Sequence, residues 1–256
     1  MDLGLAGKRV VVTGASRGIG LAVVRGFVAE GATVVAGARR VTPELAKLDA
    51  VTAVEVDLAD PDGPARLVAA AGDRIDVLVN NVGVAPPRTT GFLEVTDDMW
   101  ATTWNLDVMA TVRATRAALP VMLAGGGGTI VNTGSVNARL ADPLVIDYSA
   151  AKAALTNFAK SLSKEFGPRG IRVNTVAPGP VATDLWLGTD GVAATVGTAQ
   201  GIDPADVEAG AKAAMVTGRF TRPEEVADLV LLLAGNRISN VTGAEFTIDG
   251  GMITTV

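Results

Sequence analysis

The chain has 256 residues, 48% hydrophobic and 19% charged, with a net charge of −5 and no basic block; that describes a globular protein with a large core and speaks against a nucleic-acid partner. It contains no histidine and no cysteine, which excludes disulfides, thiolate nucleophiles, imidazole bases and zinc sites built on those residues, so no metal is expected. Acid–base chemistry therefore falls to carboxylates, lysines or the single tyrosine, Tyr148.

The N-terminus lacks a charged-then-apolar signal pattern, and the apolar run 227–234 is too short to cross a bilayer, so a cytoplasmic protein without membrane contact is expected. Along the chain, β-branched apolar runs alternate with segments of helical period. Arg9–Thr13 is the first predicted strand. Ile19, Ala22, Val23 and Phe27 then form the apolar stripe of a helix ending near Gly31. Further strands are predicted at 33–36, 51–56, 75–79, 129–132, 171–176 and 244–248. Several are apolar at consecutive positions, as strands covered on both faces are. A helix starting near Thr96 contains Asn105, and another carries Tyr148. Thr221-Arg222-Pro223-Glu224 reads as a capping box opening a helix through Ala234. From 184 to 218 the rhythm breaks in an Ala-, Gly-, Thr- and Asp-rich stretch, which is expected to be a loop serving as a lid. Strand–helix alternation argues for a doubly wound α/β sheet with right-handed crossovers.

The first strand runs into Gly14-Ala15-Ser16-Arg17-Gly18-Ile19-Gly20 and then a helix. Glycines there permit a tight turn and close approach of a pyrophosphate to a helix N-terminus, although such a loop can also simply pack a helix on a strand. Tyr148 and Lys152 are four residues apart and share one helix face. A free phenol, with a pKa near ~10, is a poor base, but a close ammonium favours its phenolate.

Thr13 to Gly20 (TGASRGIG), Asp57-Leu58, Asn80-Asn81-Val82-Gly83, Asn105, Ser135, Tyr148-x3-Lys152, Pro178-Gly179 with Thr183, and Asp249-Gly250-Gly251 follow one another along nearly the whole chain. With these motifs the sequence resembles the short-chain dehydrogenase/reductase family, among its members the NADP(H)-dependent ketoreductases and 3-oxoacyl-carrier-protein reductases. The resemblance implies a single Rossmann-type domain over residues 1–256, with an approximately seven-stranded parallel sheet and helices on both faces. It implies a cofactor site of Gly14, Ser16, Arg17, Gly18, Ile19, Gly20, Asp57, Leu58, Asn81, Gly83, Pro178, Gly179, Val181 and Thr183, with Asp57 at the adenine and Val181 and Thr183 at the nicotinamide carboxamide. It makes Ser135 the group that polarises a carbonyl, Tyr148 the proton donor, Lys152 its partner and a grip on the ribose, and Asn105 the holder of a water. Val82 and Gly134 depart from the family's usual alanine and serine. Ala38 stands where NAD-preferring relatives carry an acid, and Arg39 follows it; with Arg17 this points to NADP(H).

The implied activity is interconversion of a ketone or aldehyde with an alcohol. The substrate pocket is expected from 84–90, 137–147 and the lid, including Val84, Asn137, Arg139, Leu144, Val145, Leu185 and Trp186. Arg139 either meets an anionic substrate group or is a solvated loop cation, the more common fate of such a residue. Two other readings stand beside a small ketone. One is reduction of a carrier-bound 3-oxoacyl group, disfavoured by the uncharged Ala124-Gly125-Gly126-Gly127-Gly128; the other is a nucleotide-sensing protein without catalysis. Small and apolar residues on more than one face of the Tyr148 helix, together with the resemblance, suggest a homodimer or homotetramer.

Overall fold

The computed structural model describes residues 1–255. Seven parallel strands form one sheet in the order β3-β2-β1-β4-β5-β6-β7. They are β1 (Arg9–Thr13), β2 (Thr33–Ala38), β3 (Val51–Glu55), β4 (Val77–Asn80), β5 (Gly128–Thr133), β6 (Ile171–Pro178) and β7 (Glu245–Ile248). Consecutive residues of β1 serve opposite faces, which is why the strand is an unbroken apolar run. Val10 and Val12 pack with Phe27, Val230 and Leu231 on one side; Val11 packs with Leu67, Leu119, Met122 and Ile130 on the other.

The first face is covered by α1 (Gly18–Ala29) and α10 (Pro223–Ala234). The second is covered by α3 (Gly63–Ala69), α5 (Ala110–Ala124) and α6 (Ile146–Phe166). A short α2 (Pro43–Ala46) follows β2, and α4 (Asp97–Trp104) leads through a π-turn, Asn105–Met109, into α5. Thr96 caps α4, its hydroxyl accepting the Met99 N–H at 3.3 Å.

Two expectations are corrected. The 184–218 stretch is not a structureless loop but carries α7 (Asp184–Leu187), α8 (Val192–Gln200) and α9 (Pro204–Ala213). Its small residues give little amphipathic period, so the helices left a weak trace. The start of α10 is also shifted by one residue: Arg222 is the N-cap, and Glu225, not Glu224, accepts the Arg222 N–H at 2.8 Å.

Strand order reverses between β1 and β4, opening a crevice at the carboxyl ends of the strands. The loops that follow β1, β4, β5 and β6 meet there.

Candidate active site

The loop after β1 is shaped for a phosphate. Helix α1 starts without a side-chain cap and without an acidic residue in its first turn, so its free N–H groups and positive dipole end suit an anion. A Cβ on Gly20 would stand 2.1 Å from the Gly14 carbonyl oxygen, so only glycine lets the helix start this close to the strand end. The loop is held from β4: Thr13 Oγ1 accepts the N–H groups of Asn81 at 2.8 Å and Val82 at 3.1 Å. The Asn81 side chain donates in return to the carbonyls of Thr13 and Gly14. Thr183, after β6, packs so close to Gly18 that a Cβ there would meet its methyl at 3.1 Å. Three loops thus converge on the end of α1.

The other residues of the expected cofactor site are distributed around this cradle. Ile19 packs its side chain onto the core, and the Ser16 carbonyl accepts from Thr42 Oγ1 at 3.1 Å. Asp57 is exposed and accepts the Ala59 N–H at 2.9 Å, while Leu58 is buried. The Gly179 N–H donates to Ile248, and Val181 forms a bridge with Thr221. Arg17 and Arg39 are exposed, and neither forms an ion pair among the described residues.

Beyond the cradle, Ser135 lies two residues past β5 and Tyr148 in the first turn of α6. The Ser135 hydroxyl donates to Asn137 Oδ1 and accepts the Asn137 N–H, both at 3.1 Å. Lys152 is buried; its Nζ donates to the Thr133 carbonyl at 3.0 Å and lies 5.4 Å from the centre of the Tyr148 ring. Burial pushes the Tyr148 phenol above its ordinary value, while the Lys152 ammonium and the Ser135 hydroxyl pull it down. Lys152 acts in the expected direction, and a further charge works against it.

That charge is Asp107, which sequence reasoning passed over. Its carboxylate is fully buried, 3.6 Å from Lys152 Nζ, and accepts the Val84 N–H at 3.2 Å. Burial raises its pKa to about 6 against the pull of Lys152. Asn105, expected beside Lys152, turns its side chain elsewhere: it donates to the Ala59 carbonyl at 2.8 Å and accepts from Arg113 at 2.7 Å. No motif singles out Asp107; only its burial against Lys152 does.

The expected pocket wall has its own anchor. Asp147, buried next to Tyr148, accepts hydrogen bonds from the Arg88 guanidinium and from Thr103 Oγ1 at 2.7 Å. Burial pushes this carboxyl up, but Arg88 and Thr103 hold it below the ordinary range. The Arg88 N–H also reaches the Leu144 carbonyl at 2.6 Å, tying 84–90 to 137–147. Asn137 Nδ2 donates to Leu140, and Val145 is buried. Arg139 is an exposed loop cation, and its Nε pairs with the Glu245 carboxylate at 2.8 Å. In α7 Leu185 is exposed, whereas Trp186 packs edge-on against Phe220 with ring centres 5.3 Å apart.

A glycine-rich turn at the switch point of a parallel sheet, opening beside a serine, a tyrosine and a buried lysine, is an arrangement of an α/β protein suited to a dinucleotide and to proton transfer. Residues 14–253 match the family described as Enoyl-(Acyl carrier protein) reductase. The chain is 33% identical to the 3-oxoacyl-[acyl-carrier-protein] reductase FabG of Vibrio harveyi, over 98% of this chain and 99% of that one. It is 35% identical to L-xylulose reductase of Mus musculus over the full length of both. Among solved structures, L-sorbose reductase from Gluconobacter frateurii, complexed with NADPH and L-sorbose, superposes over all of both chains with a TM-score of 0.90 at 34% identity. The chain belongs to the short-chain dehydrogenase/reductase family of oxidoreductases.

Proposed function

We propose that the chain is an NADP(H)-dependent oxidoreductase interconverting a ketone or aldehyde with an alcohol. The observation that carries this reading is the placement of Lys152 beside Tyr148 and Ser135, next to the phosphate cradle. The cradle suits a dinucleotide, since Gly20 admits no side chain and the first turn of α1 is free. Preference for the 2′-phosphate is supported by Ala38 at the end of β2 and by the unpaired Arg17 and Arg39. It is supported further by the NADPH-bound L-sorbose reductase.

When bound, nicotinamide supplies or accepts the hydride. The chain's own groups handle the carbonyl oxygen. Ser135 donates a hydrogen bond that polarises it, and Tyr148 gives it a proton as the carbonyl becomes an alcohol. Lys152 steadies the phenolate left behind. In oxidation Tyr148 takes the hydroxyl proton instead. Asn105 is assigned to the helix turn that holds Asp107, since its side chain is occupied elsewhere.

The substrate side is formed by Val84, Asn137, Leu144, Val145, Leu185 and Trp186, a mainly apolar wall suited to a small or medium carbonyl compound. Similarity to FabG favours a second reading, a carrier-bound 3-oxoacyl substrate, but the turn before β5 has no cation for an acidic carrier. Exposed Phe92, Leu93, Met99 and Trp104, on and before α4, support a homo-oligomer.

The test is fluorescence titration with NADPH and NADH, followed by a carbonyl panel read by cofactor absorbance. Tight NADPH binding and turnover are expected. A preference for NADH would overturn the role of Arg39; binding without turnover across ketoses, aliphatic ketones and 3-oxoacyl thioesters would overturn the proposed chemistry.

A further inference from the structure

Arg88 sits where the two halves of the proposed pocket wall join. Its backbone N–H reaches the Leu144 carbonyl, and its side chain, 12% exposed, lies against Asp147, the residue before Tyr148. Nε donates to Asp147 Oδ1 at 3.3 Å; Nη2 donates to Asp147 Oδ2 and, at 3.2 Å, to Thr103 Oγ1. A guanidinium carries five N–H groups in a rigid plane. Three are used here, all on the edge that faces α4 and α6. The two on Nη1 have no partner among the described residues, yet Nη1 is not sealed in: the enclosed side-chain atoms without a partner belong to Asn80 and Asn132. An arginine that only fastens this fold is used differently. Arg172 spreads Nη1 and Nη2 over the carbonyls of Leu233, Val241, Ala234 and Gly235 and the Thr129 hydroxyl, so neither nitrogen is left free.

We infer that Arg88 is a specificity-determining residue whose Nη1 donates to an uncharged oxygen of the substrate, a hydroxyl group carried near the reacting carbonyl. The inference rests on the pocket proposed above and names the compounds that fit it: neutral hydroxy ketones and hydroxy aldehydes. Charge decides the class. The guanidinium is already matched by the fully buried Asp147, so the pair offers N–H donors without net positive charge. Lys152, one turn further along α6, is likewise matched, by Asp107 at 3.6 Å. A carboxylate or phosphate on the substrate would therefore meet no unmatched cation here and would lie close to the Asp147 carboxylate. An uncharged oxygen accepts from Nη1 without that penalty. The wall around it, with Val84, Leu144, Val145 and Leu185, is apolar, so a plain ketone leaves both N–H groups stripped of water and unpaired. A site of that kind rejects the compound lacking the oxygen more sharply than an apolar pocket can.

Five-carbon ketones test this without turnover. Saturation-transfer NMR on the protein loaded with NADP+, which leaves a ketone bound but unreduced, gives dissociation constants for 2-pentanone, its 1-hydroxy, 3-hydroxy and 5-hydroxy derivatives, and the anion 4-oxopentanoate. At least one hydroxy ketone is expected to bind about 10-fold more tightly than both 2-pentanone and 4-oxopentanoate. Binding no tighter than that of 2-pentanone by all three hydroxy ketones, or tightest binding of 4-oxopentanoate, overturns the inference. Arg88→Met combined with Asp147→Leu removes both charges together, so that neither is left buried and unmatched. In that variant the hydroxy ketone should lose its advantage over 2-pentanone. A purely structural role would weaken both compounds alike, so an advantage that survives in the double variant overturns the inference too. Should the variant not fold, the ratios in the unmodified protein decide. A carbonyl panel without turnover, with these binding ratios retained, would defeat the proposed function and leave the inference standing.

Discussion

Asp107 and Asp147 are both fully buried close to Tyr148, yet their carboxyls move in opposite directions from the ordinary value. The difference lies in what each receives. Asp147 has a guanidinium making two contacts and a hydroxyl at 2.7 Å; Asp107 has one ammonium at 3.6 Å and one backbone N–H. Removing one partner of a buried pair leaves an unmatched charge, at a cost of about 3–5 kcal/mol. Arg88→Ala is therefore expected to lower stability by about that amount in urea unfolding, and to raise the KM for the carbonyl, because the wall beside Tyr148 loses its anchor. A loss below about 1 kcal/mol would show that the pair holds little. At the reacting centre, Tyr148→Phe should reduce turnover by ~10²–10⁴-fold while NADPH still binds, as measured by stopped-flow absorbance and fluorescence titration.

At the scale of elements, the start of α1 is where geometry is least forgiving. Gly20→Ala would force a methyl to within 2.1 Å of a backbone oxygen that cannot swing aside. The expected result is a loss of about 1–3 kcal/mol in stability and at least ~10-fold weaker NADPH binding, by thermal unfolding and fluorescence titration. Normal binding by this variant would mean that the cradle is looser than described. The strands were legible because each is an apolar run bounded by turn residues, although several ends differed by one or two positions from expectation. The helices α7, α8 and α9 were not, because Ala, Gly and Thr along 184–218 give no clear period. The π-turn was also invisible. It contains an extra residue per turn, and Asp107 is the residue buried against Lys152 while Asn105 faces Ala59.

Across the whole molecule, acid stability collects the carboxylates. Asp147 lies below its ordinary 3.8, and Glu225, paired to Arg219, is held at about 2 from an ordinary 4.5. Their stabilisation is complete above pH 4.5 and is lost as pH falls through the depressed folded-state values. Asp107 has the opposite sign: its raised value costs stability as pH rises from 3.8 to about 6. The urea midpoint is thus expected to fall steeply below pH 4.5, and Asp147→Asn should make that fall shallower. An identical slope in the variant would count against Asp147 as a contributor.

The sequence by itself determined the sheet, the glycine loop and the Tyr148–Lys152 spacing, because each is written in neighbouring residues: apolar runs, backbone freedom and helical period. It also determined that any proton donor of phenol type must be Tyr148, the one tyrosine present. Only the tertiary structure decided which charges surround that tyrosine. Asp107 meets Lys152 across 45 positions of chain, Arg88 meets Asp147 across 59, and Arg139 meets Glu245 on the last strand. Such pairs depend on where loops and helices come to rest on the sheet, and the low dielectric that makes them matter exists only once the core has closed.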